Sequence, residues 1–198
     1  MGKIYCVMGK SATGKDTIYH ELLKREDLGL NRIVPYTTRP IRPGETEGIE
    51  YHFVDETEVE ALAAAGRIVE LRSYDTVYGV WKYFTVNDAN LNLEEKNYLY
   101  IVTLEGYLKI RDYYKKDRVV PIYIQVDDGD RLIRAIERER GQGRPQYEEM
   151  CRRFLADAGD FAEERLQEAG IAKRFENRNL EETIAEIAAY IEEDYEGK

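Results

Sequence analysis

A chain of 198 residues is long enough to bury a substantial core and short enough for one domain, and its 43% hydrophobic and 34% charged residues suit an ordinary globular protein. The net charge of −10 argues against duplex nucleic acid as a partner, which needs a basic face, although small phosphate ligands need only local cationic pockets. No apolar run approaches a membrane span, the start is too short for a signal peptide, and two cysteines (Cys6 and Cys151) make neither a disulfide framework nor a metal-ligand pair, so the expected compartment is the cytoplasm with no membrane partner.

In chain order, the apolar run at 3–8 predicts a buried strand ending at Gly9, and 16–25 follow with helical spacing that groups Ile18, Leu22 and Leu23. Residues 33–55 turn to Thr, Pro, Gly and Arg with scattered aromatics, which reads as a small loop-and-strand subdomain. A helix is expected over 57–65, stopped by Gly66, then a strand over 67–71 and a helix over 86–95. Next come a strand at 98–103, a helix through Tyr114, a strand at 119–126 and a helix at 131–140 broken by the Gly141–Pro145 run. One helix over 147–167, a strand at 172–175 and an amphipathic helix from Leu180 to about Glu193 complete the reading. Strands alternating with helices imply an α/β fold with a mainly parallel sheet covered on both faces, its ligands at the carboxyl ends of the strands.

Gly9-Lys10-Ser11-Ala12-Thr13-Gly14-Lys15 fits GxxxxGK between a strand and a helix. Glycines let backbone N–H groups turn inward around phosphate oxygens, the helix dipole adds positive potential, and Lys15 supplies a point charge for the β and γ phosphates. Asp16 stands where the motif has a hydroxyl for Mg²⁺, with Thr17 one residue further along the helix; a carboxylate is itself a hard-cation ligand, so Asp16 is the expected metal contact.

The segment from Thr37 to Phe53 (TTRPIRPGETEGIEYHF) sets Arg39 and Arg42 three apart among prolines and a glycine-rich turn, a rigid fork of unpaired arginines for bidentate phosphate binding to which Tyr51 adds a hydroxyl. Between 131 and 153 lie seven arginines and no lysine (Arg131, Arg134, Arg138, Arg140, Arg144, Arg152, Arg153), which suggests phosphate contact, and Gly141-Gln142-Gly143 offers hinges for a moving lid. Neither His20 nor His52 has a metal-spaced or catalytic companion.

From Thr37 to Tyr51 the chain matches T-T-R-x-x-R-x-G-E-x-x-G-x-x-Y throughout, and on this string it closely resembles guanylate kinases. The resemblance spans nearly the whole chain. It implies a P-loop nucleoside-monophosphate-kinase fold: a five-stranded core at 1–34 and 97–198, an acceptor-binding insert at about 35–84 and a lid at about 138–150. It implies transfer of a phosphoryl group from ATP, with Mg²⁺, to GMP or dGMP. By resemblance, ATP is held by Gly9, Ser11, Thr13, Gly14, Lys15, Asp16, Thr17 and Asn177, the last from an Asn177-Arg178-Asn179-Leu180 string like the family's N-D-D-L. GMP is held by Arg39, Arg42 and Tyr51 at its phosphate and by Glu70, Tyr78 and Thr103. Lys15, Arg138, Arg140 and Arg153 serve the transfer itself.

The chain departs from the family at the base pocket. Val80 and Pro35 stand where hydroxyl side chains contact guanine, and D-x-D-x-x-G reads Ile101-Val102-Thr103-Leu104-Glu105-Gly106, so Asp16 is expected to replace the missing charge near Mg²⁺. A site that loses hydrogen-bonding partners loses discrimination, which keeps a different acceptor open. The Gly14-Lys15-Asp16-Thr17 loop is also similar to those of phage deoxynucleoside-monophosphate kinases and phosphomevalonate kinases. A third reading, a non-catalytic guanylate-kinase-like binding module, fits poorly with a retained phosphate loop.

Overall fold

The computed structural model describes residues 2–76, 79–88 and 91–195. The first strand, β1 (Ile4–Met8), is buried along its whole length and runs through the phosphate loop into α1 (Lys15–Lys24). A 3₁₀ turn (Glu26–Leu28) leads to β2 (Leu30–Arg32). Then come β3 (Tyr36–Thr37), β4 (His52–Phe53), α2 (Glu56–Ala64), β5 (Ile68–Thr76) and β6 (Gly79–Val86). The chain continues through β7 (Asn97–Ile101), α3 (Leu104–Tyr114), β8 (Val119–Gln125) and α4 (Asp128–Arg140). It ends with α5 (Tyr147–Asp160), α6 (Glu163–Glu168), β9 (Arg174–Glu176) and α7 (Leu180–Tyr195).

Five strands form one all-parallel sheet in the order β2-β7-β1-β8-β9. Because successive side chains on a strand point to opposite faces, β1 feeds two cores at once. Ile4, Cys6 and Met8 pack with Tyr98, Tyr100, Leu104, Tyr107 and Leu166 on the α3 and α6 side. Tyr5 and Val7 pack with Ile18, Leu22, Ile187 and Ile191 on the α1 and α7 side. The five-stranded parallel sheet flanked by helices is the fold class expected from the sequence.

A second, four-stranded sheet, β4-β3-β6-β5, occupies the insertion, with β5 and β6 as a long antiparallel hairpin. Its small core of Val59, Phe84 and Val86 is covered by α2, whose N-terminus Asp55 caps by accepting from the Glu58 N–H.

Two expectations need correction, and two strands, β6 and β2, were not expected. Residues 86–95 are not a helix: Val86 is the buried last residue of β6, and the described residues after it are irregular apart from a turn at 93–95. The run Trp81-Lys82-Tyr83-Phe84-Thr85-Val86 is aromatic and β-branched, which favours a pleated surface, and the whole of β6 was missed. The helix expected over 147–167 is two, α5 and α6, divided at Phe161 and Ala162, where buried Phe161 leaves the helix to pack on Tyr123. The short edge strand β2 carried no visible signal and forms because its backbone pairs with β7.

Candidate active site

At the carboxyl end of β1 the chain turns through Gly9–Gly14, and each conformational demand is met by a particular residue. Gly14 sits at φ 83 as the N-terminal boundary of α1, a left-handed conformation that costs glycine little. At Gly9 a Cβ would lie 2.5 Å from the Ile124 carbonyl oxygen, so the loop passes β8 at a distance only glycine allows. Thr13 is buried, its hydroxyl donating to the Lys10 carbonyl at 2.9 Å.

The loop is also gripped from outside. Arg131 of α4, 1% exposed, donates through Nε to the Ser11 carbonyl at 2.9 Å and through Nη2 to Asp157 Oδ2 at 2.9 Å, and its Nη1 pairs with Asp128. Asp157 of α5 accepts the Ser11 N–H at 2.7 Å. Phe154 stacks under the guanidinium at 4.8 Å. Asn177, expected at the nucleotide, is 4% exposed and donates its amide to the Thr13 carbonyl at 2.8 Å. Arg134 donates to the Asn177 carbonyl at 3.0 Å. Two of the seven arginines therefore brace the loop, and Arg152 pairs with Glu149 on the surface.

Lys15 is mostly buried beside Asp16, Nζ to Oδ2 3.8 Å. Burial lowers its pKa from the usual lysine value, opposed by Asp16 and Asp157 and reinforced by Arg153 and Arg138. Asp16 and Thr17 are exposed at the start of α1. Arg153 joins Gly9, Ser11 and Lys15 in lining a cleft of about 480 Å³. Arg138 and Arg140 are exposed near the end of α4 and are not among the described residues lining that cleft.

The opposite wall of the cleft comes from the second sheet, with Pro35, Tyr51, Arg72, Tyr74 and Tyr83, and its floor from Tyr100 and Thr103 at the end of β7. Thr103 also caps α3, its Oγ1 accepting from Gly106 N–H at 3.1 Å. Burial raises the Tyr51 pKa. Arg39 corrects the expectation of unpaired arginines: it is 3% exposed, bidentate to Glu45 at 2.8 and 3.0 Å, and lies over the Tyr51 ring at 5.5 Å. Glu45 also accepts the Arg42 N–H at 2.8 Å, while the Arg42 side chain is exposed. Arg39 and Glu45 thus stiffen the segment that presents Arg42.

Glu70 is buried, accepting from Thr85 Oγ1 at 3.0 Å and from Arg72 Nε at 3.2 Å. Val80 is 49% exposed on β6. Tyr78 lies outside the described residues.

Sequence reasoning missed Asp157 and Arg72 and gave Arg131 no individual role. The Asp128/Arg131 spacing of three was a legible helical pair. Nothing in the sequence placed Asp157 against a loop 146 residues away.

Among the described residues no cluster of three or more His, Cys, Asp or Glu side chains could hold a metal unaided. Exposed Asp16 stands beside Lys15, and a single carboxylate completed by phosphate and water oxygens is a donor set that suits Mg²⁺. No helix of the described residues is long and apolar enough to cross a membrane.

Comparison with known proteins points to one family. The family model for guanylate kinase matches residues 1–194. Guanylate kinase of Mycoplasma pneumoniae is 28% identical over 196 residues, covering 96% of this chain and 75% of that protein. Guanylate kinase of Symbiobacterium thermophilum is 30% identical over 191 residues, covering 96% and 84%. The crystal structure of guanylate kinase from Anaplasma phagocytophilum superposes with a TM-score of 0.66 at 22% identity, over 98% of this chain and 86% of that one, and supports the fold. The chain belongs to the guanylate kinase family.

Proposed function

We propose that this chain transfers the γ-phosphoryl group of ATP to the phosphate of GMP or dGMP. The observation carrying this reading is one cleft, lined on one side by the phosphate loop with Lys15 and Arg153 and on the other by Tyr51, Tyr83 and Arg72 of the second sheet. A donor in the loop and an acceptor on the second sheet would meet there, and phosphoryl transfer asks mainly for such positioning and charge neutralisation.

In this reading the amides of the loop from Gly9 to Gly14 and the Lys15 ammonium take the donor phosphates, with Asp16 and Thr17 at their edge. The adenosine would enter the neighbouring cleft of about 430 Å³ lined by Gln125, Asp127, Asp130, Asn177 and Arg178. Arg42 and Tyr51, steadied by Arg39, hold the acceptor phosphate, and Thr103 faces it from the floor. An oxygen of that phosphate, already deprotonated near neutral pH, attacks in line and needs no general base. Arg153 neutralises charge on the transferring group. Arg138 and Arg140 would reach it by closure of the lid at about 138–150 over the core, as the insert at about 35–84 closes from the other side. Mg²⁺, bound to the nucleotide and Asp16, would neutralise phosphate charge and fix its geometry. Nucleotides as the only partners and a cytoplasmic setting complete the proposal.

The test is ADP release from ATP and Mg²⁺ with GMP, dGMP, AMP, CMP, UMP or dTMP as acceptor, against Lys15→Ala. Turnover confined to GMP and dGMP is expected. Turnover with another acceptor alone would discard guanine, and none with any would discard the kinase reading.

A further inference from the structure

The two sides of the base-facing wall differ in kind. Glu70 and Arg72 are two apart on β5 and so share one face of the strand. Glu70 is sunk beneath it, 2% exposed, with one oxygen accepting from Thr85 and the other from Arg72 Nε. Among the described residues lining the cleft, Arg72 is present and Glu70 is not. Of the pair, the guanidinium lines the cleft and the carboxylate is buried beneath it.

Arg72 is also not spent on the fold in the way Arg131 is. Every guanidinium nitrogen of Arg131 has a protein acceptor. Among the described residues Arg72 donates to Glu70 alone, at 3.2 Å from Nε and 3.5 Å from Nη2, and nothing accepts from its Nη1. Its side chain is 25% exposed and lines both this cleft and an adjoining one with Glu105, Asp160 and Arg165. Pro35 has no donor, and Val80 is not among the described residues lining the cleft. The other donors on that wall and floor are the single hydroxyls of Tyr51, Tyr74, Tyr83, Tyr100 and Thr103, whereas a guanidinium fork can serve two adjacent acceptors at once.

We infer that Arg72, oriented by Glu70, reads the acceptor base by donating to the adjacent guanine acceptors O6 and N7, with Glu70 as its positioning residue. This rests on the guanylate reading of the same cleft. An arginine fork on O6 and N7 is the commonest specific contact to guanine in the DNA major groove, and the same edge is open on a free nucleotide; adenine opposes it with an amino donor at position 6. The 2-amino group takes no part. Direct recognition by a free carboxylate would behave differently, since Glu70 would then need the N1–H and 2-amino donors together.

The experiment compares kcat/KM for GMP, IMP (which keeps O6 and N7 but lacks the 2-amino group) and 2-aminopurine ribonucleoside monophosphate (which lacks O6). The proteins are the unmodified chain, Arg72→Met and the double variant Glu70→Gln/Arg72→Met; the double variant leaves no unpaired buried carboxylate, and ratios between acceptors within one preparation are insensitive to partial misfolding. Expected for the unmodified chain are IMP within about tenfold of GMP and 2-aminopurine nucleotide about 10- to 100-fold below it. In both variants GMP and IMP fall toward the 2-aminopurine value. An unmodified chain that rejects IMP about 100-fold or more, or a GMP to 2-aminopurine ratio unchanged in both variants, would overturn the role of Arg72 while leaving the kinase intact. Absence of any guanine-nucleotide turnover by the unmodified chain would overturn both.

Discussion

At the scale of single residues the site is governed by which cations are spent and which are held loosely. Arg131 is spent: its planar fork joins the Ser11 carbonyl, Asp128 and Asp157, and Asp157 returns to the Ser11 N–H. Arg131→Met would strip Asp157, whose side chain is 15% exposed, of its counter-charge, and the loss should fall below that of a fully buried pair broken from one side, about 3–5 kcal/mol. Denaturant unfolding should show that loss, and the KM for ATP should rise because the loop backbone is no longer fixed. Arg131→Lys should recover little, since an ammonium cannot serve three divergent acceptors. Lys15 is held more loosely, its ion pair with Asp16 as long as 3.8 Å, and its burial-lowered pKa gives a signed prediction. The charged form binds phosphate, so ATP affinity should decline as pH rises through a window below that of an exposed lysine. Folding runs the opposite way: the unfolded chain holds that proton more tightly, so this group adds stability as pH rises through the same window. ATP affinity measured against pH checks the first statement, with Lys15→Arg expected to abolish the decline. An affinity flat into the ordinary lysine range would refute it.

At the scale of elements, the phosphate loop was legible because its chemistry is local: a strand, two glycines at fixed spacing and a lysine before a helix. Most helices were legible from apolar spacing and from stops such as Gly66 and Gly141. The failures have tertiary causes. Strand β6 is held by partners on both sides, β3 and β5, which no window around Val86 reveals. The division between α5 and α6 depends on Phe161 packing across to Tyr123, a contact 38 residues away in sequence. The acceptor segment was legible as a string but not as a network, because Arg39 and Glu45 look like free charges until the turn brings them together. Close approach predicts the sharpest element-level effect. Gly9→Ala pushes a Cβ to 2.5 Å from the Ile124 carbonyl oxygen, and a backbone atom of a central strand cannot swing aside. Overpacking of this kind typically costs about 1–3 kcal/mol, so a lower melting temperature is expected together with weaker ATP binding. An unaltered melting temperature would mean that the loop, and not β8, had moved.

At the scale of the molecule, stability and activity are placed at opposite ends of the same sheet. The carboxyl end of β1 opens into the phosphate loop. Its amino end is sealed by α7, where Asp194 accepts from Lys3 Nζ and from Tyr5 Oη, each at 2.7 Å, while the Tyr195 hydroxyl donates to the Leu28 carbonyl at 2.8 Å. Tyr5 is fully buried, and burial together with Asp194 raises its pKa, so its hydroxyl stays a donor to that carboxylate. The five residues of β1 span about 17 Å, far enough that a change at the seal leaves the cleft undisturbed. Asp194→Ala removes the acceptor from two donors, one of them buried, and an orphaned buried donor costs about 1–3 kcal/mol. Tyr5→Phe removes only its own bond and leaves the Lys3 pair in place, so it should cost less, about 1 kcal/mol. In a chain of this size each kcal/mol lowers the melting temperature by about 2–4 °C. Melting temperatures should therefore fall in the order unmodified, Tyr5→Phe, Asp194→Ala, with kcat and KM unchanged for all three proteins well below melting. A change in KM for ATP that tracked the melting temperature would show that β1 transmits strain from the seal to the loop, and the separation of the two ends would have to be abandoned.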